Sequence, residues 1–170
     1  MKPLFILSLI LVFSLSSCTQ NTVLTKTNVV NDEQATSKAD SLAITKLILL
    51  DFTTVFKRGD NAPKLANFFL DDAETVLHSS SWIYGKDAIQ EKFSYLKTFP
   101  EGRRLEFKLH HLGFLNSEAA WINVGACEIG GLDKIGEPLK DYCDRATFIL
   151  KKQDGIWKVA SLNVFAGEKK

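Results

Sequence analysis

The sequence predicts an α+β domain over residues 40–168, in which the helices come first and an antiparallel meander follows. Apolar residues recur at helical spacing between Ile44 and Phe56, and after Pro100 the apolar period switches to two. Turn signals divide the second half of the chain into strands: Asn116-Ser117, residues 130–138 and Asp154-Gly155. Because amphipathic helices that precede a sheet must bury their apolar stripes against it, we expect them to pack on one face of the meander.

The first residues are predicted to be a targeting segment. Lys2 precedes the apolar run Leu4 to Leu15, which is far shorter than the ~20 residues of a transmembrane helix. The run ends in Leu15-Ser16-Ser17-Cys18, which resembles the bacterial lipobox. We therefore expect residues 1–17 to be a lipoprotein signal peptide and Cys18 to carry the lipid, so that the protein is exported and anchored to a bacterial membrane, on its periplasmic or outer-membrane face. The alternative is an ordinary secretory signal with a coincidental cysteine.

Residues 18–39 are polar and without apolar periodicity, which predicts a lipidated cysteine followed by a solvated tether. Removal of residues 1–17 takes away Lys2 and lowers the basic residues from 21 to 20, against 20 acidic residues. Nucleic-acid binding needs clustered positive charge, so that class of partner is excluded. Arg103-Arg104 is interpreted as a solvated strand end.

Three helices are expected before the meander. Asp40 or Ser41 can cap the first, which carries the apolar stripe and ends at Gly59-Asp60. A second, from Pro63 through Phe69, has proline in its first turn, where the missing N–H is tolerated. The third runs from Lys86 to Lys97 after Gly85.

A short strand at residues 74–78 and four long strands complete the prediction. The long strands are expected at residues 103–115, 119–129, 139–152 and 156–166. In the first of them, His111 is in phase with Phe107 and Leu109 and is predicted to face the core, whereas His110 should be exposed.

Cys127 and Cys143 remain once Cys18 is assigned to the lipid. They lie on neighbouring predicted strands in a compartment where disulfides persist. A disulfide and a pair of buried free thiols are both compatible with the sequence.

Several strings resemble the nuclear-transport-factor-2-like superfamily, particularly its SnoaL-like and ketosteroid-isomerase-like branches, over nearly all of residues 42–166. They are Lys57-Arg58-Gly59-Asp60, Phe69-Leu70-Asp71-Asp72-Ala73, Gly85-Lys86-Asp87-Ala88-Ile89, Arg145-Ala146-Thr147-Phe148-Ile149-Leu150 and Asp154-Gly155-Ile156-Trp157-Lys158-Val159. The resemblance implies a cone-shaped fold, in which a strongly bent sheet wraps around the first helix and leaves a cavity for a ligand. The same fold hosts enzymes and non-catalytic modules, so it does not name a function.

The resemblance also assigns positions for an isomerase mechanism. Phe52 stands where such enzymes place a tyrosine, and a phenyl ring cannot donate a hydrogen bond. In the same comparison, Thr147 takes the place of the second hydrogen-bond donor, and His78 takes the place of the catalytic base. Asn163 stands where many SnoaL-like sequences have histidine. His78 is thus the catalytic candidate, and its alternative is a structural role at a strand end.

Other residues are candidates for the pocket lining. Arg145 shares strand parity with Thr147, so it would face the cavity and bind a ligand carboxylate or an internal acid such as Asp51 or Glu128. Asp51 lies on or at the edge of the apolar stripe. The aromatic candidates, which could equally be ordinary core residues, are Trp82, Tyr84 and Trp121.

Three functions remain open. We expect an envelope lipoprotein that binds a small apolar or weakly acidic molecule in its cone without catalysis. The alternatives are an enzyme that uses His78 as a general acid or base, and a non-catalytic interaction module that forms a homodimer through the sheet face. No cofactor is expected, and the three histidines lack the ligand spacing of a metal site. The membrane would be contacted through the lipid alone.

Overall fold

A computed structural model describes residues 38–78 and 81–167. The predicted signal peptide, Cys18 and most of the predicted tether lie outside the described residues. Within this part of the chain, no helix combines the length and the apolar character required to cross a bilayer.

Three helical segments precede most of the sheet. The first, α1, is α-helical over residues 38–45, π-helical over Lys46–Phe52 and α-helical again over Thr53–Val55. The second, α2, spans Ala62–Ala66 and is shorter than predicted, because Phe69 already belongs to a strand. The third, α3, spans Lys86–Lys92 and continues as a 3-10 helix over Phe93–Thr98.

Six strands form one open mixed sheet. Their bounds are β1 Phe69–Leu77, β2 Ile83–Tyr84, β3 Arg104–Asn116, β4 Ala119–Ile129, β5 Tyr142–Gln153 and β6 Ile156–Phe165. The order across the sheet is β2-β1-β6-β5-β4-β3. Strands β3 to β6 are the predicted antiparallel meander, and β1 adds to it in parallel with β6. The predicted α+β class is therefore confirmed.

The core forms where α1 crosses the inner face of the sheet. The buried residues of α1 recur at every fourth position: Ile44, Ile48, Phe52 and Phe56. Phe52 is 1% exposed, and its ring centroid lies 5.4 to 6.4 Å from six other phenylalanine rings. Most of these pairs meet edge to face, the arrangement that aromatic quadrupoles favour. The predicted stripe is thus the centre of the domain.

Asp40 connects α1 to the last hairpin. The sequence had suggested Asp40 as a cap of this helix, and it does not have that role. The helix already includes residues 38 and 39, so Asp40 lies within its first described turn. Its carboxylate accepts hydrogen bonds from Lys152 Nζ at 2.8 Å and from Trp157 Nε1 at 2.9 Å. The Lys152 ammonium also lies over the Trp157 ring, 4.9 Å from its centroid. Helix and sheet are therefore joined by a polar contact beside the core.

A bulge in β3 reverses the predicted orientation of His111. Leu109 pairs with Val124, but His111 pairs with Asn123, so His110 is an extra residue in the strand. Beyond the bulge the pleat is shifted by one residue. His111 consequently lies on the outer face of the sheet, where its ring stacks on Trp121 with a centroid separation of 4.6 Å. The expected core position of His111 is therefore wrong.

Cys127 and Cys143 lie directly opposite each other in the β4–β5 pair. Their Cα atoms are 4.0 Å apart and their sulfur atoms are joined in a disulfide. Of the two alternatives that the sequence left open, the structure contains the bonded one.

Candidate functional site

A cavity of about 580 Å³ lies between the helices and the inner face of the sheet. Its floor and walls are mainly aromatic and aliphatic, and polar side chains gather at its mouth. The lining residues are Phe52, Phe56, Leu77, His78, Lys92, Phe93, Tyr95, Phe99, Leu105, Phe107, Ala126, Glu128, Tyr142, Asp144, Ala146, Phe148, Leu162 and Val164.

The stripe of α1 lines this cavity without filling it. Phe52 forms part of the floor and Phe56 part of the wall, and both are at most 5% exposed. The two small side chains Ala126 and Ala146, on neighbouring strands, leave room opposite them. A cavity of this size and apolar character falls in the range of small-molecule sites.

His78 and Asp144 face each other at the mouth. His78 is the first residue after β1, and its Nδ1 lies 3.6 Å from Asp144 Oδ2. The His78 side chain is half exposed, whereas the Asp144 side chain is only 11% exposed. The other oxygen of Asp144, Oδ1, accepts the Gly167 N–H at 2.8 Å. The carboxylate is thus fixed from one side, and its other oxygen lies near the imidazole at a distance slightly longer than a hydrogen bond.

His78 adopts a left-handed backbone conformation with φ of 57°. Its N–H donates to the Val164 carbonyl oxygen at 2.9 Å, so the strained residue is held against β6. For an L-residue this conformation costs roughly 1–2 kcal/mol. Unusual backbone conformations of this kind are concentrated at functional sites, because packing must impose them.

Arg103 and Glu128 form a second polar group at the mouth. Arg103 Nε lies 3.2 Å from Glu128 Oε2, and the Arg103 side chain is 5% exposed. The same guanidinium donates to the carbonyl oxygens of Gly130 and Lys140, at 3.0 and 3.2 Å. It also lies over the Tyr142 ring, 5.2 Å from its centroid. Arg103 therefore binds the β4–β5 loop, and its predicted position at a solvated strand end is wrong.

Two tyrosine hydroxyls complete the polar mouth. Burial, the hydrogen bond to Glu128 and the nearby carboxylates together raise the pKa of Tyr142, despite the opposing charge of Arg103. Burial and the neighbouring Glu128 and Tyr142 groups raise the pKa of Tyr95. Both phenols therefore keep their protons at physiological pH, and the Tyr142 hydroxyl donates to Glu128.

The predicted pocket residues on β4 to β6 lie on the wrong face. Ala146 and Phe148 line the cavity, so Thr147 and Arg145, which alternate with them, point to the outer face of the sheet. Asn163 pairs with Thr147, and Trp121 is on the outer face too. These residues were misplaced together, because an error of one residue in the register moves every side chain of a strand to the other face of the sheet.

Asp51 is also outside the cavity. Its carboxylate pairs with Lys46 Nζ at 2.5 Å, and its side chain is 40% exposed. The two residues are five apart, a spacing that a π-helical turn brings to one face. Asp51 is therefore a solvated residue. Of the two positions that the sequence allowed, on the apolar stripe or at its edge, it occupies the edge.

Trp82 and Tyr84 lie at the edge of the sheet, away from the cavity. Tyr84 belongs to the edge strand β2, and the two rings stack with centroids 6.1 Å apart. They are 53% and 64% exposed. Of the predicted site residues that the structure describes, only His78 and Phe52 line the cavity.

Most of the polar residues at the mouth were not among the predicted site residues: Lys92, Tyr95, Arg103, Tyr142 and Asp144. For β5 a signal was present. Ala146, Phe148 and Leu150 form the apolar side of the strand, and counting back by two from Ala146 reaches Asp144 and Tyr142. Tyr95 and Arg103 depend on how a 3-10 helix and a loop pack against the sheet, for which the sequence has no comparable pattern.

No arrangement of three or more His, Cys, Asp or Glu side chains suited to a metal ion occurs among residues 38–78 and 81–167. The polar groups at the mouth are carboxylates, phenols, an imidazole, a guanidinium and an ammonium. They can exchange hydrogen bonds, a proton or an ionic contact with a ligand.

The chain matches no protein-family model and no curated protein. Solved structures do resemble it. A nuclear-transport-factor-2-like protein with a cystatin-like fold from Novosphingobium aromaticivorans is 10% identical, with a TM-score of 0.70 over 85% of this chain and 94% of the other. A protein with a cystatin-like fold from Caulobacter vibrioides is 22% identical, with a TM-score of 0.61 over 75% and 89%. A type 2 hexachlorocyclohexane dehydrochlorinase is 21% identical, with a TM-score of 0.60 over 77% and 87%. The chain therefore has the cone-shaped α+β fold of the nuclear-transport-factor-2-like superfamily.

Proposed function

We propose that this protein binds a small, largely apolar molecule in its cavity and that Cys18 holds it on a bacterial membrane. The observation that carries the binding function is the open volume of about 580 Å³ beneath Phe52 and Phe56. An apolar cavity of this size inside a domain that is otherwise well packed is stabilised when a ligand covers its walls.

The charges at the cavity mouth limit the chemical class of the ligand. A weakly acidic ligand was expected because Arg145 was predicted to face the cavity, but Arg145 lies on the outer face of the sheet. Two carboxylates, Glu128 and Asp144, face the cavity, and Arg103 pairs with the first of them. The lining ammonium group, Lys92, is on the exposed rim. A ligand with a neutral or basic polar end fits this mouth better than an acid does.

Two adjacent substitutions test the binding function. Ala146→Phe places a ring in the cavity, whereas Thr147→Phe places the same ring on the outer face. We expect full-length protein in nanodiscs to bind the neutral fluorescent probe N-phenyl-1-naphthylamine beyond the signal of empty nanodiscs, and Ala146→Phe to lose this excess with an unchanged or raised melting temperature. Thr147→Phe should bind like the natural protein. Equal binding by both variants would show that the probe lies elsewhere and would contradict the proposal.

A second candidate function is proton transfer by His78, favoured by its 3.6 Å contact with Asp144 at the cavity mouth. A carboxylate that orients an imidazole is a common general-base arrangement. The resemblance of the fold to a named dehydrochlorinase shows that such a cone can hold an enzyme. His78→Asn should then erase any turnover found in a substrate screen and leave the melting temperature unchanged. Retained turnover would remove His78 from the chemistry.

The membrane location rests on the lipobox-like string before Cys18, which lies outside the described residues. Metabolic labelling with an alkyne fatty acid should tag the natural protein, and Cys18→Ser should remove the label and the membrane fraction together. A labelled Cys18→Ser protein would contradict the anchor.

A further inference from the structure

Asp144 is a carboxylate in an unusual position. Its side chain is 11% exposed at the edge of an aromatic cavity. Its partners are the neutral Gly167 N–H and the half-exposed His78 ring at 3.6 Å. An imidazole balances a carboxylate only while it is protonated. Among the described residues no lysine or arginine pairs with this nearly buried anion, so its burial is costly, and a cation brought by a ligand would relieve that cost.

The cavity walls suit a cation as well as an apolar body. Phenylalanine rings from α1, from the 3-10 helix and from the sheet line it, together with the rings of Tyr95 and Tyr142 at the mouth. The face of an aromatic ring attracts a positive charge and also packs against hydrocarbon. An ammonium group at the mouth would therefore meet aromatic faces next to the carboxylate.

The described groups around Asp144 do not provide it with a paired cation. On β4, Glu128 is matched by Arg103. On β5, burial and the adjacent carboxylates raise the pKa of Tyr142, which keeps that phenol neutral. Tyr95 is neutral for similar reasons. Lys92 on α3 is positive, but it lies on the exposed rim, where solvent screens it.

We propose, on the basis of the binding function above, that the cavity recognises a small organic amine whose ammonium group pairs with Asp144 and whose apolar or aromatic body lies against Phe52, Phe93 and Phe107. The carboxylate is already fixed by the Gly167 N–H, so it needs little rearrangement on binding. The volume of about 580 Å³ admits a bicyclic aromatic body.

Three indole probes with similar bodies separate charge from shape: tryptamine is a cation, tryptophol is neutral and indole-3-acetate is an anion. Titration calorimetry of the full-length protein in nanodiscs, with empty nanodiscs as reference, should give about tenfold tighter binding of tryptamine than of tryptophol. Indole-3-acetate should bind weakest. This comparison needs no variant, so it does not depend on the folding of a mutant.

Two variants that remove the same charge assign the preference to one residue. Asp144→Asn should lower the affinity for tryptamine to that for tryptophol. Asp141→Asn is the control, because Asp141 accepts the Gly130 N–H in the loop and does not line the cavity. The Asp141→Asn variant should prefer tryptamine over tryptophol to the same extent as the natural protein does.

The outcomes distinguish the two proposals. Equal affinity for tryptamine and tryptophol would overturn the amine inference and leave the binding function standing. Failure of all three indoles together with the neutral naphthylamine probe would overturn both. If Asp141→Asn abolished the preference as fully as Asp144→Asn, the effect would be one of general charge and Asp144 would not be the anchor.

Discussion

At the scale of single residues, the backbone of His78 is the clearest departure from ordinary geometry. Its φ of 57° is tolerated by glycine but opposed by any side chain with a Cβ. We expect His78→Gly to be more stable than His78→Ala by about 1 kcal/mol, because both lose the imidazole and only glycine relieves the backbone. Urea denaturation measures the difference. Equal stabilities would mean that the left-handed conformation carries no cost here.

Asp40 provides a prediction about acid stability. Burial acts to raise its pKa, but the hydrogen bonds from Lys152 and Trp157 and the lysine charge outweigh burial, so the pKa lies below 3.8. A carboxyl with a pKa lowered by folding stabilises the native state above the pKa of the unfolded chain, and this contribution is lost as the pH falls through the native value. Asp40→Asn should therefore cost about 1–2 kcal/mol near neutral pH.

The difference between the natural protein and Asp40→Asn should shrink below about pH 4. Denaturation curves at several pH values, followed by the fluorescence of the buried Trp157, measure it. Asp51→Asn is the matched control, since Asp51 is a solvated partner of Lys46. It should change stability by no more than a few tenths of a kcal/mol. A gap for Asp40→Asn that stayed constant with pH would contradict the assignment.

The site residues also show how far sequence reasoning reaches. His78 and Phe52 were both placed at the cavity by a family resemblance. Thr147 and Arg145 were misplaced by a single step along β5, although the apolar side of that strand, Ala146 and Phe148, was visible in the sequence. Arg103 could not be foreseen, because its burial depends on the path of the β4–β5 loop.

At the scale of elements, the disulfide between β4 and β5 supports the cavity mouth. Cys127 and Cys143 are 16 residues apart, and Tyr142 and Asp144 flank the second of them. Closing a loop of this length stabilises the fold by about 3 kcal/mol. The variant with both cysteines replaced by serine should be destabilised by about that amount.

Reduction supplies the control for the disulfide. Dithiothreitol should lower the melting temperature of the natural protein to that of the double serine variant, and it should leave the variant unaffected. If a thiol assay showed complete reduction and the melting temperature did not change, the bond would contribute nothing to stability.

Element positions were predicted better than element faces. Periods of two and turn pairs located β3 to β6 to within about three residues, because both signals are local. The bulge at His110 has no such signal, and it reversed the orientation of His111. The start of β1 was hidden for a similar reason, since the apolar residues around Phe69 also fit a helix.

At the scale of the whole molecule, one aromatic residue belongs both to the core and to the cavity. Phe52 packs against rings from β1, β3, β5 and α3, so it fixes the position of α1 in the bent sheet. The same ring forms part of the cavity floor. Because the cone is closed around Phe52 and open beyond it, the molecule combines a packed core with a cavity.

The outer face of the sheet is the surface through which a second copy of the chain could bind. The helices pack on the inner face, and the outer face carries Trp121 stacked on His111 with Ile149 paired beside it. We propose that two copies associate through this face. A stable dimer requires about 800 Å² from each partner, which a face of four long strands can provide. Ile149 is 37% exposed, so a charge there would be buried unpaired in the dimer.

Ile149→Glu should therefore convert a dimer into a monomer without loss of helical or sheet signal in circular dichroism. Leu50→Glu is the control, because Leu50 is 60% exposed on α1 and far from the sheet face. It should leave the dimer intact. Sedimentation in density-matched detergent measures the mass of each protein. A natural protein that stayed monomeric at high concentration would contradict association through the sheet, and so would loss of the dimer in Leu50→Glu alone. Neither outcome would bear on the proposal of cavity binding, because the cavity and the association surface lie on opposite faces of the sheet.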